Sequence, residues 1–379
     1  MTVDGDVAVL GGGTMGAMTL WRLAARGVRA VCFEQFSPGH DRGAAGGETR
    51  IFRTAYLEEP RYVPLLREAQ LLWRVLEAET GRSLLELNGA LMVGDVESPH
   101  MQNVTRSIDE YGLRHQRLTA SQLAERYPQH QTLVGDAAVL DLDAGFLRSD
   151  LALVAAAQRA EALGAAVHRY ERVESLDWDE AGVTLRVDGG TQRFRTVVVA
   201  PGPWAGKLLP QLSSLLTLKR PTQAWFAARE PAQFAPARNP VLLRMSGAEH
   251  AYVLPTVDGL AVKMGLSSDG HEPVADPDRL DRALTVPQMR QYRDVARAIL
   301  PGVFPDPIRY GAYVEAYTPD GHGLVGRLPG AEHVVLLGGF SGHGFKFAPL
   351  FGDIAADLVL DGSTRRPIRH LAPERYLAG

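Results

Sequence analysis

The chain has one cysteine, Cys32. A single thiol excludes an internal disulfide and a thiolate metal cage, and it fits the reducing cytoplasm as the expected compartment. Cationic excess is lacking too: the formal net charge is −4, with Lys and Arg scattered rather than clustered, so no nucleic-acid partner is expected. No uninterrupted apolar run reaches the roughly 20 residues that span a bilayer. The start, "MTVDGDVAVLGGG", enters a strand at once, without the basic and apolar regions of a signal peptide. No membrane partner is expected. The 11 histidines form no H-x-x-x-H pair or Cys/His cluster, so no metal is expected. Neither G-x-S-x-G nor G-x-x-x-x-G-K-[ST] occurs, which removes the α/β-hydrolase and P-loop classes.

What is present is glycine at informative places. "DVAVLG" (6–11) reads as a buried parallel strand, "GGTMG" follows, and "AMTLWRLAARG" makes an apolar helical face from Met18, Leu20, Leu23 and Ala24. "VRAVCFE" is then a second strand, completing a β-α-β unit. Gly11, Gly13 and Gly16 supply G-x-G-x-x-G between strand and helix, and Glu34 ends the next strand where a ribose hydroxyl acceptor is wanted. Glycine there lets a pyrophosphate reach backbone N–H groups at a helix N-terminus, whose dipole favours negative charge. The motif alone is not specific; in this context it predicts a dinucleotide site. An acidic Glu34 disfavours the 2′-phosphate of NADP but does not separate FAD from NAD.

At 379 residues two domains are expected. Residues 60–80 read as a helix with Leu65, Leu66, Ala69, Leu72 and Val75 at helical spacing. A helix is expected near 100–112 and another over 146–164, with Leu151, Val154, Ala155 and Ala162 on its apolar side. "RTVVVAPG" is again a buried strand ending in a Gly-Pro turn. Strands "AWFAAR", "HAYVLPT" and "GLAVKMG" and a helix near 287–299 form an insertion. "HVVLLGGFSGHGFKF" then returns a buried strand to a glycine-rich turn before the closing helix.

Three segments put cations among apolar residues. "GGETRIFRTAY" (46–56) carries Arg50 and Arg53, suited to bidentate capture of a carboxylate but equally readable as solvated strand charges with buried stems. Lys263 sits inside "LAVKMG", where an edge-strand lysine guarding against aggregation is the plain alternative. "GFSGHGFKF" (339–347) crowds Gly339, Gly342 and Gly344 around Lys346 and three phenylalanines, which a sharp turn alone could explain.

Together these residues resemble the monomeric sarcosine oxidase and N-methyltryptophan oxidase group of the D-amino-acid oxidase superfamily. The resemblance runs through "GGGTMG", "GHDRGAAGGETRIFRTAYLEEPRYVPL", "PGPWAGKLLP", "KMG" and, most specifically, "GFSGHGFKF". It implies an α/β (α+β) fold: a Rossmann-like FAD-binding domain (1–83, 146–218 and 316–379) interleaved with a mixed or antiparallel-sheet substrate domain (84–145 and 219–315). It implies FAD held by Gly11, Gly13, Thr14, Met15 and Gly16 at the pyrophosphate and by Glu34 and Gln35 at the adenosine ribose. His40, Thr49 and Arg50 match positions near the flavin or its phosphates, Val173 a backbone contact to adenine, and Gly202 and Trp204 the segment beside the cofactor. Gly342, Gly344, Phe345 and Lys346 bring the turn to the flavin. Arg53 and Lys346 match the pair that binds the substrate carboxylate, Tyr252 and Tyr317 the aromatic walls, and Glu58 an acidic residue at the mouth. Lys263 matches the lysine that assists reaction with oxygen, and Arg50 approaches the flavin ring. Met15 and Met264 read equally as packing residues. His343 is expected to order the turn or line the cavity. Trp21, Trp73, Trp178 and Trp225 carry no functional expectation.

The resemblance breaks at three places. Glu315 in "GAYVEAYT" stands where members with a covalent flavin have cysteine, so FAD is expected to be non-covalent. Gly46 and Ser267 replace two histidines that border the active site, which leaves more room or a different polarity. A larger N-alkyl, cyclic or aromatic amino acid is therefore expected over sarcosine. The implied reaction is FAD-dependent oxidation of an amino acid by hydride transfer, hydrolysis of the imine, and reoxidation by O2 to hydrogen peroxide, in a monomer. A dehydrogenase using a non-oxygen acceptor, a non-catalytic flavoprotein subunit and an NAD-dependent dehydrogenase remain the alternatives.

Overall fold

The computed structural model describes residues 4–377 except 246–249, 258, 260, 268 and 269; Leu260 of the "GLAVKMG" run lies outside them. Strand β1 (Gly5–Leu10) enters helix α1 (Thr14–Ala25), which ends where Gly27 takes φ +78°, and β2 (Ala30–Glu34) follows. β1 pairs in parallel with β2 on one side and with Gly190–Val199 on the other. Ala166–Arg169 extends the parallel run beyond β2, and Ala331–Gly338 extends it beyond Gly190–Val199. Valine-rich interiors such as "VVV" (197–199) suit strands covered on both faces. Helix α1 is buried along nearly all of its length, packed against the helices Ser149–Ala162 and Ala348–Asp361. Three antiparallel strands, Val173–Asp179, Gly182–Val187 and Leu324–Leu328, complete an eight-stranded sheet among the described residues.

A second eight-stranded sheet takes its strands from 90–141 and 222–312. Among the described residues it is mostly antiparallel, with one parallel pair, Val241–Arg244 on Ala90–Gly94. Its inner face packs on the amphipathic helix Val286–Ile299, which begins with a capping box at Thr285 and Gln288. Short strands tie the two sheets together. β3 (Thr49–Phe52) pairs with Gly145–Arg148, and Thr217–Arg220 pairs with Glu315–Tyr317.

Two local expectations are corrected. The helix expected over 146–164 begins only at Ser149, because Gly145–Arg148 is taken up by pairing with β3. Its buried side is Ala152, Leu153, Ala155–Ala157 and Ala160, while Ala162 is exposed and Val154 half-buried. Helix Val63–Thr80 keeps Leu65, Leu66 and Ala69 inside but exposes Val75, burying Trp73 instead.

Candidate active site

The carboxyl ends of the parallel strands open onto one cleft of about 390 Å³, the place where open α/β sheets bind ligands. Gly11, Gly13, Thr14 and Met15 line it directly after β1. The N-terminus of α1 has no side-chain cap and no acidic residue in its first turn, so its N–H groups are left for a ligand. A Cβ on Gly13 would meet nothing within 4 Å, whereas one on Gly16 would lie 1.7 Å from the carbonyl oxygen of Gly11. Gly16 therefore packs helix onto strand and does not line the cleft.

Glu34 closes the end of β2, 3% exposed. Its Oε2 accepts from Gly12 N at 2.6 Å and its Oε1 from Phe36 N at 2.7 Å, which fixes the carboxylate rigidly at the cleft wall. Gln35, His40, Val173, Gly202 and Trp204 line the same end. Burial pushes His40 down to about 4, leaving a neutral ring whose Nδ1 accepts from Arg42 N at 3.0 Å. The Trp204 indole donates to Asp278 at 2.6 Å, and Asp278 also pairs with Lys207 and Arg172.

The far end of the cleft is cationic. Thr49 and Arg50 of β3 line it, and Arg50 donates to its own strand and to the preceding loop, at Thr49 O (2.7 Å), Gly46 O (2.6 Å) and Ala44 O. Arg53 and Lys346, 6% and 5% exposed, line the same wall. Arg53 Nη2 is paired with both oxygens of Glu58, whose side chain is 32% exposed at the rim. Burial would raise the Glu58 carboxyl, but the Arg53 guanidinium wins and holds it at about 2. Burial, and then the positive Arg53, bring Lys346 down to about 7. Arg53 Nε is buried with no partner, a donor left for a ligand.

The glycine turn delivers Lys346. Gly342 takes φ +87°, and the short helix Phe345–Phe347 then turns the lysine inward. Trp73 Nε1 donates to the Lys346 carbonyl at 2.9 Å and its ring stacks on Phe345. Gly342, Gly344 and Phe345 line the cleft, as does Phe340. Phe347 instead packs on Tyr56, Tyr62 and Phe351. Tyr252 and Tyr317 supply aromatic walls. The Tyr252 ring lies across Gly265, where a Cβ would sit 2.2 Å from it, and its hydroxyl accepts from Gln223 Nε2 at 3.1 Å.

Lys263 stands apart from the other sequence-identified residues. It is 2% exposed and outside the cleft lining, and its Nζ donates to Gly47 O at 2.9 Å and Thr49 O at 2.6 Å. Burial, and then Arg50, lower its pKa well below the usual lysine range. Its strand, Ala261–Leu266, lies between Thr222–Ala227 and Ala251–Leu254, so the edge-strand explanation is excluded. What Lys263 holds is the turn entering β3, where Glu48 takes φ +70° and Arg50 begins its reach to the cleft.

The space expected at Gly46 is filled. A Cβ there would lie 2.4 Å from the ring of Tyr313, which itself lines the cleft. Ser267 and Glu315 do line it, and burial raises the Glu315 carboxyl despite Arg50 and the Gly342 N–H. Cys32 is buried in β2, outside the lining. Spacing gives no sign of Trp73, Gln223 or Tyr313, because each packs in from a segment distant in sequence, and none is read into Tyr56, three residues beyond Arg53.

An uncapped helix N-terminus, an open glycine cradle and a fixed acidic side chain on the next strand fit a dinucleotide. A cationic wall with an unpartnered guanidinium N–H continues the same cleft. These features define a dinucleotide-binding protein with an anion site in the same cleft. The chain belongs to the FAD dependent oxidoreductase (DAO) family, whose model matches residues 6–358, and FAD is its cofactor. It is 34% identical over 382 residues to the monomeric sarcosine oxidase of Streptomyces avermitilis, with 98% of each chain covered. It is 29% identical over 356 residues to N-methyl-L-tryptophan oxidase of Salmonella dublin, with 94% of each covered. Among solved structures it is similar to the open form of NikD, an unusual amino acid oxidase essential for nikkomycin biosynthesis, with a TM-score of 0.87, 28% identity and 98% of both chains covered.

Proposed function

We propose that this protein is an FAD-dependent oxidase of an amino acid whose amine is secondary, N-alkyl or cyclic. The observation that carries the reading is the buried pair Arg53 and Lys346 on the wall of the dinucleotide cleft. Glu58 supplies one negative charge for two buried cations, a costly imbalance in a dry site, and a substrate carboxylate supplies the second anion. When bound, FAD supplies the electron acceptor and the route to oxygen. The chain's own part is orientation: Arg53 and Lys346 take the carboxylate, while Tyr252 and Tyr317 flank the space beside it.

Lys263 acts in this reading from behind the wall, keeping the Gly47–Thr49 backbone and hence Arg50 in place beside the flavin. FAD is held without a covalent bond, since the one cysteine lies in β2 outside the cleft and Glu315 lines it where covalent relatives carry cysteine. Acid precipitation tests this: the yellow colour leaves with the supernatant, and colour kept in the pellet would refute it. The two eight-stranded sheets take their strands from opposite sides of boundaries at 84, 146, 219 and 316, which supports two interleaved domains. The reading takes the protein as a cytoplasmic monomer, a compartment that suits a chain with a single buried thiol.

The experiment is anaerobic mixing of the holoenzyme with a panel of primary, N-methyl and cyclic amino acids, followed by air. Rapid bleaching with secondary amines and stoichiometric peroxide on aeration are expected. Bleaching by primary amines alone, or recovery only with an added dye, would overturn the substrate class or the oxidase assignment respectively.

A further inference from the structure

Tyr56 carries no role in the reading above, yet its ring lies against both Arg53 and Lys346. Its ring centre lies 5.0 Å from the Arg53 guanidinium carbon and 5.4 Å from Lys346 Nζ. Its side chain is fully buried, where an aromatic face attracts cations more strongly than in water. Its hydroxyl is 2.7 Å from His343 Nδ1.

The direction of each hydrogen bond follows from His343. Its Nε2 lies 2.8 Å from the carbonyl oxygen of Gly321, which can only accept, so Nε2 carries the ring proton. Burial keeps the ring neutral, at about 4. Nδ1 is then an acceptor, and the Tyr56 hydroxyl must donate to it. That hydrogen bond fixes the Tyr56 ring in the place where its face meets the Arg53 guanidinium. The main chain of His343 serves the other cation, its carbonyl accepting from Lys346 Nζ at 2.6 Å. One histidine thus orders both halves of the wall: its ring through Tyr56 to Arg53, its backbone directly to Lys346.

We propose that Tyr56, oriented by His343, is a positioning residue that holds Arg53 and Lys346 side by side so that one carboxylate bridges both. This rests on the reading of Arg53 and Lys346 as the carboxylate clamp. Without Tyr56, the two like charges share a dry wall with Glu58 at its rim. The guanidinium then loses the ring beneath it. The consequence belongs to carboxylates alone, since a neutral ligand does not call on the two cations.

The test titrates FAD-loaded protein with acetate and with acetamide, following the visible flavin spectrum, in wild type and in Tyr56→Phe, His343→Gln, the double variant, Arg53→Met and Lys346→Met. Tyr56→Phe is expected to weaken acetate about fivefold, the scale of the one neutral hydrogen bond to His343 that it removes, and to leave acetamide unchanged. KM for an amino acid should rise by more than kcat falls. His343→Gln should have a similar effect, and the double variant should be no worse than Tyr56→Phe alone, because the two act as a unit. Unchanged acetate affinity in Tyr56→Phe, with loss in Arg53→Met and Lys346→Met, would overturn the role of Tyr56 and leave the clamp standing. Retained acetate affinity in Arg53→Met and Lys346→Met would overturn the clamp itself. Equal weakening of acetate and acetamide, or loss of FAD from Tyr56→Phe, would reduce Tyr56 to a packing residue.

Discussion

Glu58 Oε2 lies 2.5 Å from Arg53 Nη2, with Oε1 on the same nitrogen, so an internal carboxylate occupies the face of the guanidinium that a substrate carboxylate needs. Glu58 is at the rim and a third exposed, so the pair is partly screened. Glu58→Gln should tighten acetate binding at pH 6 by about fivefold, the upper end for an exposed ion pair. A titration of the flavin spectrum reads it directly. Weaker binding would mean that Glu58 supports the site instead of competing for it.

Lys346 gives the clamp a pH dependence. Burial, reinforced by Arg53, lowers it to about 7, so it is charged below that pH and neutral above it. Acetate affinity should be highest below pH 7 and fall as the pH rises, by up to about tenfold per unit. Lys346→Met should bind acetate weakly and with a flat profile over the same range. A wild-type profile that rises with pH would contradict the assignment.

Lys263→Met would leave the carbonyls of Gly47 and Thr49 without their shared donor. Each carbonyl keeps a second donor, Thr49 N for Gly47 and Arg50 for Thr49, so the loss is that of two buried hydrogen bonds, about 1–3 kcal/mol, and thermal unfolding should shift down by several degrees. Loosening the turn that carries Arg50 should also slow reoxidation by O2 more than anaerobic reduction. Stopped-flow measurement of both half-reactions separates them, and equal losses would argue against a role in the oxygen step.

Gly46 faces the ring of Tyr313 with no space for a side chain. Gly46→His should destabilise the protein by about 1–3 kcal/mol through overpacking, and adding Tyr313→Ala should restore most of that loss. Denaturant unfolding of the single and double variants checks it. Full stability of Gly46→His alone would show that the ring moves aside freely.

The β-α-β opening was legible because its signals are local: a valine run, glycines at fixed spacing, an acidic residue ending the next strand. Lys346 was legible for the same reason, three glycines marking its turn. Helix 146–164 was misread at its start because the state of Phe146 and Leu147 is decided by pairing with Ile51 and Arg50, nearly a hundred residues away. Lys263 shows the same limit. Its apolar strand was clear, but that its amino group turns to the backbone of Gly47 and Thr49 depends on how two sheets meet. Tyr313 filling the place above Gly46 left no trace in spacing at all.

The central claim is that Arg53 and Lys346 together seat the carboxylate of an amino acid beside the flavin. Anaerobic bleaching of the holoenzyme by an N-methyl amino acid and by its N-methyl amide, which lacks the carboxylate, measures it most directly. The acid should bleach wild type rapidly and the amide at least about a hundredfold more slowly, a difference that shrinks in Arg53→Met and Lys346→Met. Equal rates for acid and amide in wild type would contradict the account.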